Sequence, residues 1–384
     1  MLTFDSFRVY YVGGFNKFFE MKKYLVLVLA LIMVGTAEMA HGQIRKRSLK
    51  KNNKRISKFK GRKNNFTSDK KYNFVAISIN ALNYFGDLAP LSRRTSTDIS
   101  FTRPGVGIVF GHRFGPRYTL RASFMYGTLR GDDFESADPN DQDARFRYVR
   151  NLHFRNRIKE LAITAMFDLF ENEGSYISRV QFTPYIFAGL AVFHHNPQAI
   201  VPDTDRNGNP LPGAGDWVDL QPLGTEGQHT NLPTDAVNSG ISEYSLWQIA
   251  IPAGLGVRYR LNQVFDLSFE MSFRYTFTDY LDDVSQNYVD TNIITASSEG
   301  DNAVARALAD RSWEPTAVVS GSARDFEAIN ATASDRNGDG FFNGYGTESR
   351  NNIRGNADDN DLYFVTSIKV AYIIGATFRR AKFR

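Results

Sequence analysis

The sequence predicts an all-β protein, specifically an eight-stranded antiparallel transmembrane β-barrel with long extracellular loops. Three observations carry that expectation. Of eight strand-length segments, seven alternate apolar and polar residues with a period of two, which a 3.6-residue helix would scramble. The segments run about 10 to 17 residues, whereas strands in soluble sheets average roughly 5–6. The connections alternate between short turns and long loops, as in outer-membrane barrels.

The chain has 384 residues, no cysteine, 42% hydrophobic and 14% aromatic content and a formal charge of +5. The absence of cysteine excludes disulfides, thiolate metal sites and a thiol nucleophile. A helical membrane protein needs apolar runs of about 20 residues. The longest here is Tyr24–Val34, eleven residues. That run follows Met21-Lys22-Lys23 and precedes small residues ending at Gly42, which is the anatomy of a secretory signal. Residues 1–42 are therefore expected to be a signal peptide, with Met21 as the start and residues 1–20 as an upstream artefact. Residues 43–71 hold thirteen Lys or Arg against one acid, Asp69. Charge at that density repels, so a disordered basic periplasmic arm is expected. For an exported chain no nucleic-acid partner is expected. The rest, from Tyr72 onward, carries 29 basic and 37 acidic residues. The overall basicity therefore resides in the arm and not in a folded surface.

The barrel is expected over residues 72–384. Its first segment, Phe74–Tyr84, places Val75, Ile77 and Ile79 on one face. Gly105–Phe114 does so with Val106, Ile108 and Phe110, and Tyr118–Tyr126 with Tyr118, Leu120, Ala122, Phe124 and Tyr126. Ile158–Phe170 sets Leu161, Ile163, Ala165, Phe167 and Leu169 against Glu160, Thr164 and Asp168. Gln181–Phe193 is apolar on both faces and leaves its register open. Trp247–Tyr259 sets Trp247, Ile249, Ile251, Ala253, Leu255, Val257 and Tyr259 against Gln248, Gly254, Gly256 and Arg258, and Phe265–Phe277 alternates throughout. Leu362–Phe378 completes the set, with Phe364, Ile368, Val370 and Tyr372 opposite Ser367 and Lys369. Short turns fall at Gly115-Pro116, Glu171–Ser178 and Asn262-Gln263, and long connections at 85–104, 129–156, 194–245 and 278–361. An even strand number puts both termini with the short turns, in the periplasm. Outer-membrane lipid is the expected partner of the apolar face.

The polar face then lines the lumen. Arg121, Glu160, Asp168, Arg258, Glu270, Arg274 and Lys369 are expected to point inward as an ion-pair network. Facing lipid at the midplane, an Arg or Lys would cost roughly 2–4 kcal/mol. Eight strands enclose a space that side chains fill, so a plugged core is expected in place of a channel.

Candidate chemistry is sparse. Gly105, Gly107 and Gly111 superficially suggest a dinucleotide loop, but they share one face of a strand and are expected to make room for lumen arginines. There is no Walker A, Gly-x-Ser-x-Gly or His-Glu-x-x-His motif. His194-His195 at a strand end could serve as the base of a surface lipid hydrolase, but a polar rim explains the pair more simply. Asp203–Gly208 and Asp335–Gly340 resemble the start of a calcium loop, but Ala214 and Gly346 stand where position 12 requires an acid. Ordinary Asx turns are the plainer reading. The loop Thr278–Asp361 carries sixteen acids and six basic residues. That charge could bridge to lipid phosphates through divalent cations. No enzyme activity and no cofactor are expected.

Seven stretches resemble PorG-like outer-membrane barrels of the type IX (Por/gliding) secretion system. They are Ala81–Pro90, Arg121–Asp133, Arg150–Arg155, Phe182–Gly189, Asn196–Ala199, Leu220–Gln228 and Thr276–Val284, in order across about residues 72–290. The basic arm and the acidic loop from about Asp290 to Asp361 depart from that pattern. The resemblance implies a non-catalytic component of protein export, anchoring or docking a periplasmic ring formed by a lipoprotein and its partner. A binding or adhesion barrel that uses its long loops is the alternative.

Overall fold

The computed structural model describes residue 66, residues 70–88, 101–138, 140, 145–332 and 353–374. The expected signal peptide, nearly all of the basic arm, the string Asp335–Gly340 and the last strand's end at Phe378 lie outside the described residues.

Eight long strands close a ring: β1 (Tyr72–Phe85), β2 (Arg103–Arg113), β3 (Tyr118–Asp132), β4 (His153–Asp168), β5 (Phe182–His194), β8 (Trp247–Arg260), β9 (Phe265–Thr276) and β10 (Leu362–Ile374). Two short strands, β6 (Pro197–Ile200) and β7 (Trp217–Asp219), extend the sheet from β4 beyond the ring. Every neighbouring pair is antiparallel. The ring is sealed by β3 against β4 and by β1 against β10. Closure leaves no unpaired edge, which hydrocarbon could not satisfy. One interruption has a local cause. The β5–β8 ladder skips Gly189 and Leu190, opposite Pro252, which has no N–H to donate.

The faces sort by parity. In β9 the odd residues from Phe265 to Tyr275 are exposed and the even ones from Asp266 to Thr276 are buried. The outer wall is aliphatic at mid-height, where Ile77 (68%), Ile79 (71%), Ile108, Ile163 and Leu190 are all more than half exposed. Aromatic rings flank this band. Phe114, Tyr118, Phe182, Tyr259, Phe265 and Tyr372 lie toward the short turns, and Tyr126, Trp247, Tyr275 and Phe277 toward the long loops. An apolar belt of this extent is unfavourable in water and suited to a bilayer. No helix among the described residues is long and apolar enough to cross a membrane.

The strands match the alternating segments, with two differences. β3 and β4 continue past the expected ends and stay paired out to Asp132 and His153. The alternation was invisible there because Arg130, Arg155 and Arg157 stand on the outer face, above the apolar band. The long connections are also more structured than open loops. They contain helices α1 (Asp133–Ser136), α2 (Arg145–Arg150), α3 (Asn302–Ala309) and α4 (Phe326–Thr332). Asp301 caps α3 by accepting from the N–H groups of Ala303 and Val304.

Candidate functional site

The seven lumen residues expected from the sequence all lie inside the ring, in three tiers. Nearest the short turns, Asp168 (0% exposed) sits between Arg113 at 2.5 Å and Arg258 at 2.6 Å. In the middle tier Glu270 is saturated. It accepts from both terminal nitrogens of Arg121, from Lys369 Nζ at 2.7 Å and from the Tyr185 hydroxyl at 2.7 Å. Arg121 also donates to Thr164 Oγ1 at 2.7 Å and lies over the Phe187 ring. In the third tier Arg274 Nε donates to Glu160 at 3.0 Å, and the Tyr363 hydroxyl donates to the same carboxylate at 2.7 Å. Each carboxylate is held by strands on opposite sides of the ring, so the pairs brace the barrel across its bore. A small cavity of about 30 Å³ lies beside Tyr72, Phe74, Arg121 and Lys369, room for about one water.

The sequence reading missed several partners. Arg113 shares the inward face of Gly105, Gly107 and Gly111, so the period-two rule could have placed it. Asp266 lies on the polar face of β9 and pairs with Arg179 at 2.6 Å. Arg179 itself arrives from the turn after β4 and also donates to the carbonyl of Gln263 at 2.8 Å, a tuck that no strand pattern announces. The expected role of the glycines needs correction. A side chain at Gly105 would meet Leu82, and one at Gly111 would meet the Phe74 ring. One at Gly107 would meet the Ser78 hydroxyl and the Phe124 carbonyl, so the space beside the three glycines is taken by β1 side chains and strand backbone, and arginine does not occupy it.

Above the third tier the bore becomes apolar. Leu82, Leu129, Phe154, Ile158, Phe193 and Val365 pack with Leu281 and Val284 of the last long loop. That loop stoppers the barrel. Its neighbours are carboxylates: the Tyr84 hydroxyl lies 2.7 Å from Asp282 and 2.6 Å from Asp361. A phenol has one proton, so two such short contacts require a second proton held by one of the carboxyls. Burial foremost, and then the neighbouring carboxylates, push Asp282 and Asp361 well above the ordinary range. Asp279 is raised to about 9 by burial, Asp87 and Asp282.

Arginines stitch the long loops into one cap over this stopper. Arg150 pairs with Asp133 at 2.7 Å and donates to the carbonyls of Asp87 and Arg354. Arg354 pairs with Glu226 at 2.8 Å. Arg324 donates to the carbonyls of Tyr148, Val149 and Glu314. The cap has its own apolar cluster, including Val201, Leu220, Leu223, Ile294, Val304 and Leu308. Asp283 adopts a left-handed φ of 67° and accepts hydroxyls from Thr225 and Tyr244.

Of the histidine pair, His194 keeps the rim position, half-buried at the end of β5, and His195 does not. His195 is wholly buried, stacked on Tyr244, with Nε2 against the Ser245 carbonyl at 3.2 Å. Burial lowers its pKa to about 4. His194 lies edge-on to Trp247. Among the described residues neither ring bonds a serine hydroxyl or a carboxylate, so no triad is assembled. At the first acidic string, Asp205 accepts the N–H groups of Asn207 and Asn209 at 2.9 and 2.8 Å. That is an Asx turn, its carboxylate already engaged.

The family described as DUF6089, a domain of unknown function, matches residues 63–210. No curated protein matches the sequence. Similar solved structures include Neisserial surface protein A, at 10% identity and a TM-score of 0.31, covering 78% of this chain and 96% of that one. Ail, the attachment invasion locus protein of Yersinia pestis, is similar at 7% identity and a TM-score of 0.30, covering 79% and 99%. A major outer membrane protein from Thermus thermophilus is similar at 9% identity and a TM-score of 0.30, covering 78% and 99%. These likenesses are too distant to carry function, and the barrel is established by its own register and closure.

Proposed function

We propose that this protein is a non-catalytic outer-membrane component of protein export, a type IX anchor that docks a periplasmic ring lipoprotein and its partner. The supporting observation is the filled bore. Ion pairs bridge its lower part and a loop stoppers its mouth, which suits a rigid scaffold better than a conduit. The PorG-like stretches supply the pathway. In this reading the long loops face outward, and the short turns, both termini and the basic arm face the periplasm. Clean deletion should abolish type IX secretion, and crosslinkers placed at Gly115 or Asn262 should capture the ring lipoprotein. Normal secretion in the deletion strain would end the reading. A second reading, a binding or adhesion barrel, draws on the cap, whose loops share a buried core. Trimming Asp203–Asp216 would then reduce adhesion while secretion stayed intact.

A further inference from the structure

The geometry points to a lipid-phosphate site on the outer wall of the barrel, at the long-loop end of β4. It would take the phosphate of an anionic glycolipid in the outer leaflet, and it rests on the orientation given above. On the outward face of β4 the residues from the short-turn side are Phe167, Ala165, Ile163 and Leu161, followed by Lys159, Arg157 and Arg155. From Phe167 to Lys159 is eight residues, roughly 26 Å along the strand and about 20 Å in height at the usual barrel tilt. Lys159 and Arg157 therefore stand at the upper edge of an apolar band about 25 Å tall, where lipid headgroups lie and a cation is tolerated.

No acid among the described residues neutralises them. Arg155 is engaged, donating to Gln198 at 2.9 Å and lying 4.0 Å from the Trp217 ring centroid. Arg130 on the next strand pairs with Glu135 at 2.7 Å. Arg157 and Lys159, by contrast, stand two residues apart on one face, where like charges repel. An external anion relieves that repulsion. Among the described residues, the basic residues of the wall at this level lie on β3 and β4. Elsewhere around the wall this level presents Trp247, Tyr275 and Phe277.

The pair borders a surface cavity of about 200 Å³, closed by Tyr126, His194, Asn196 and Gln198. Two of these leave buried polar atoms without a partner, Nδ1 of His194 and Oδ1 of Asn196. Both atoms are buried, so a phosphate or sugar oxygen reaches them only when these side chains turn toward the cavity. Directly below, Leu161 faces Val192 and Ile163 faces Leu190 across the β4–β5 ladder, all exposed. That strip can seat acyl chains beneath the headgroup. Cations, hydrogen-bonding groups and an aliphatic rib are thus stacked in the order of a phosphorylated lipid.

The test uses the full chain in detergent, titrated with lipid A and with dephosphorylated lipid A and read by native mass spectrometry. The wild type should bind lipid A at least ten-fold more tightly than the Arg157→Gln/Lys159→Gln variant, and more tightly than the dephosphorylated lipid. Lys159→Arg should retain binding. Heat-modifiable gel migration verifies that each variant keeps its closed barrel, and single variants substitute if the double one does not. Equal affinity for the two lipids, or equal affinity of wild type and double variant, would overturn the site and leave the cations to an acidic protein partner. This assay is blind to secretion, so its failure leaves the export role standing. Orientation is read separately by labelling Asn207→Cys on whole cells. Labelling on intact cells supports the outer-leaflet assignment, and labelling only after permeabilisation overturns it.

Discussion

Glu270 shows how this interior tolerates charge. It is 2% exposed, and each of its oxygens accepts two hydrogen bonds, from Arg121 twice, Lys369 and Tyr185. A buried carboxylate so surrounded loses little relative to water, but its partners depend on it. Glu270→Ala would leave two cations facing each other with no anion between them. The expected loss is about 3–5 kcal/mol, measured as a shift of the urea midpoint in lipid vesicles. Arg121→Met and Lys369→Met combined with Glu270→Leu should recover much of it, because removing both cations with the anion leaves no unpaired charge. A midpoint unchanged by Glu270→Ala would mean that the middle tier carries no structural weight. This tier was legible in the sequence, since parity alone places Arg121, Glu270 and Lys369 on the inner face. Their mutual contacts were not legible, because pairing across the bore depends on closure and strand stagger. Tyr185 stayed hidden because β5 is apolar on both faces.

At the scale of the element, the stopper around Thr278–Tyr288 is the part most responsive to solution conditions. Burial and adjacent carboxylates raise Asp279 to about 9 and hold Asp282 and Asp361 well above their ordinary range. Asp283 is raised to about 6, by burial above all. All four shift in the same direction, so the folded stopper binds more protons than the unfolded segment. Its stability is full below an ordinary carboxylate pKa of about 4 and declines as pH rises toward 9. Hydrogen-exchange protection factors for backbone amides of Thr278–Tyr288 should fall between pH 5 and pH 9. Asp279→Asn should flatten that dependence. Protection that is constant, or that falls on acidification, would contradict the assignment. The sequence showed this loop only as a stretch of negative charge. Nothing in its periodicity reveals that Leu281 and Val284 enter the bore, because a plug is specified by the shape of the cavity it fills and has no repeat of its own.

At the scale of the whole molecule, one rule of alternation produces a surface fitted to hydrocarbon and an interior fitted to charge. The strands were legible because lipid imposes period two over long runs, and they ceased to be legible at Arg130 and Arg155, where the outer face leaves the apolar band and polarity no longer distinguishes the sides. The cap was illegible for the same reason: in water neither parity nor run length is constrained, and its order comes from arginines such as Arg324 collecting carbonyls distant in sequence. The chain contains no cysteine, which permits the most direct test. Single cysteines introduced at successive β9 positions from Leu267 to Phe273 are spin-labelled in lipid vesicles and probed with oxygen and a water-soluble nickel chelate. The account predicts oxygen-dominated accessibility at positions 267, 269, 271 and 273, and shielding from both reagents at 268, 270 and 272. Inverted parity, or chelate access at the odd positions, would contradict it.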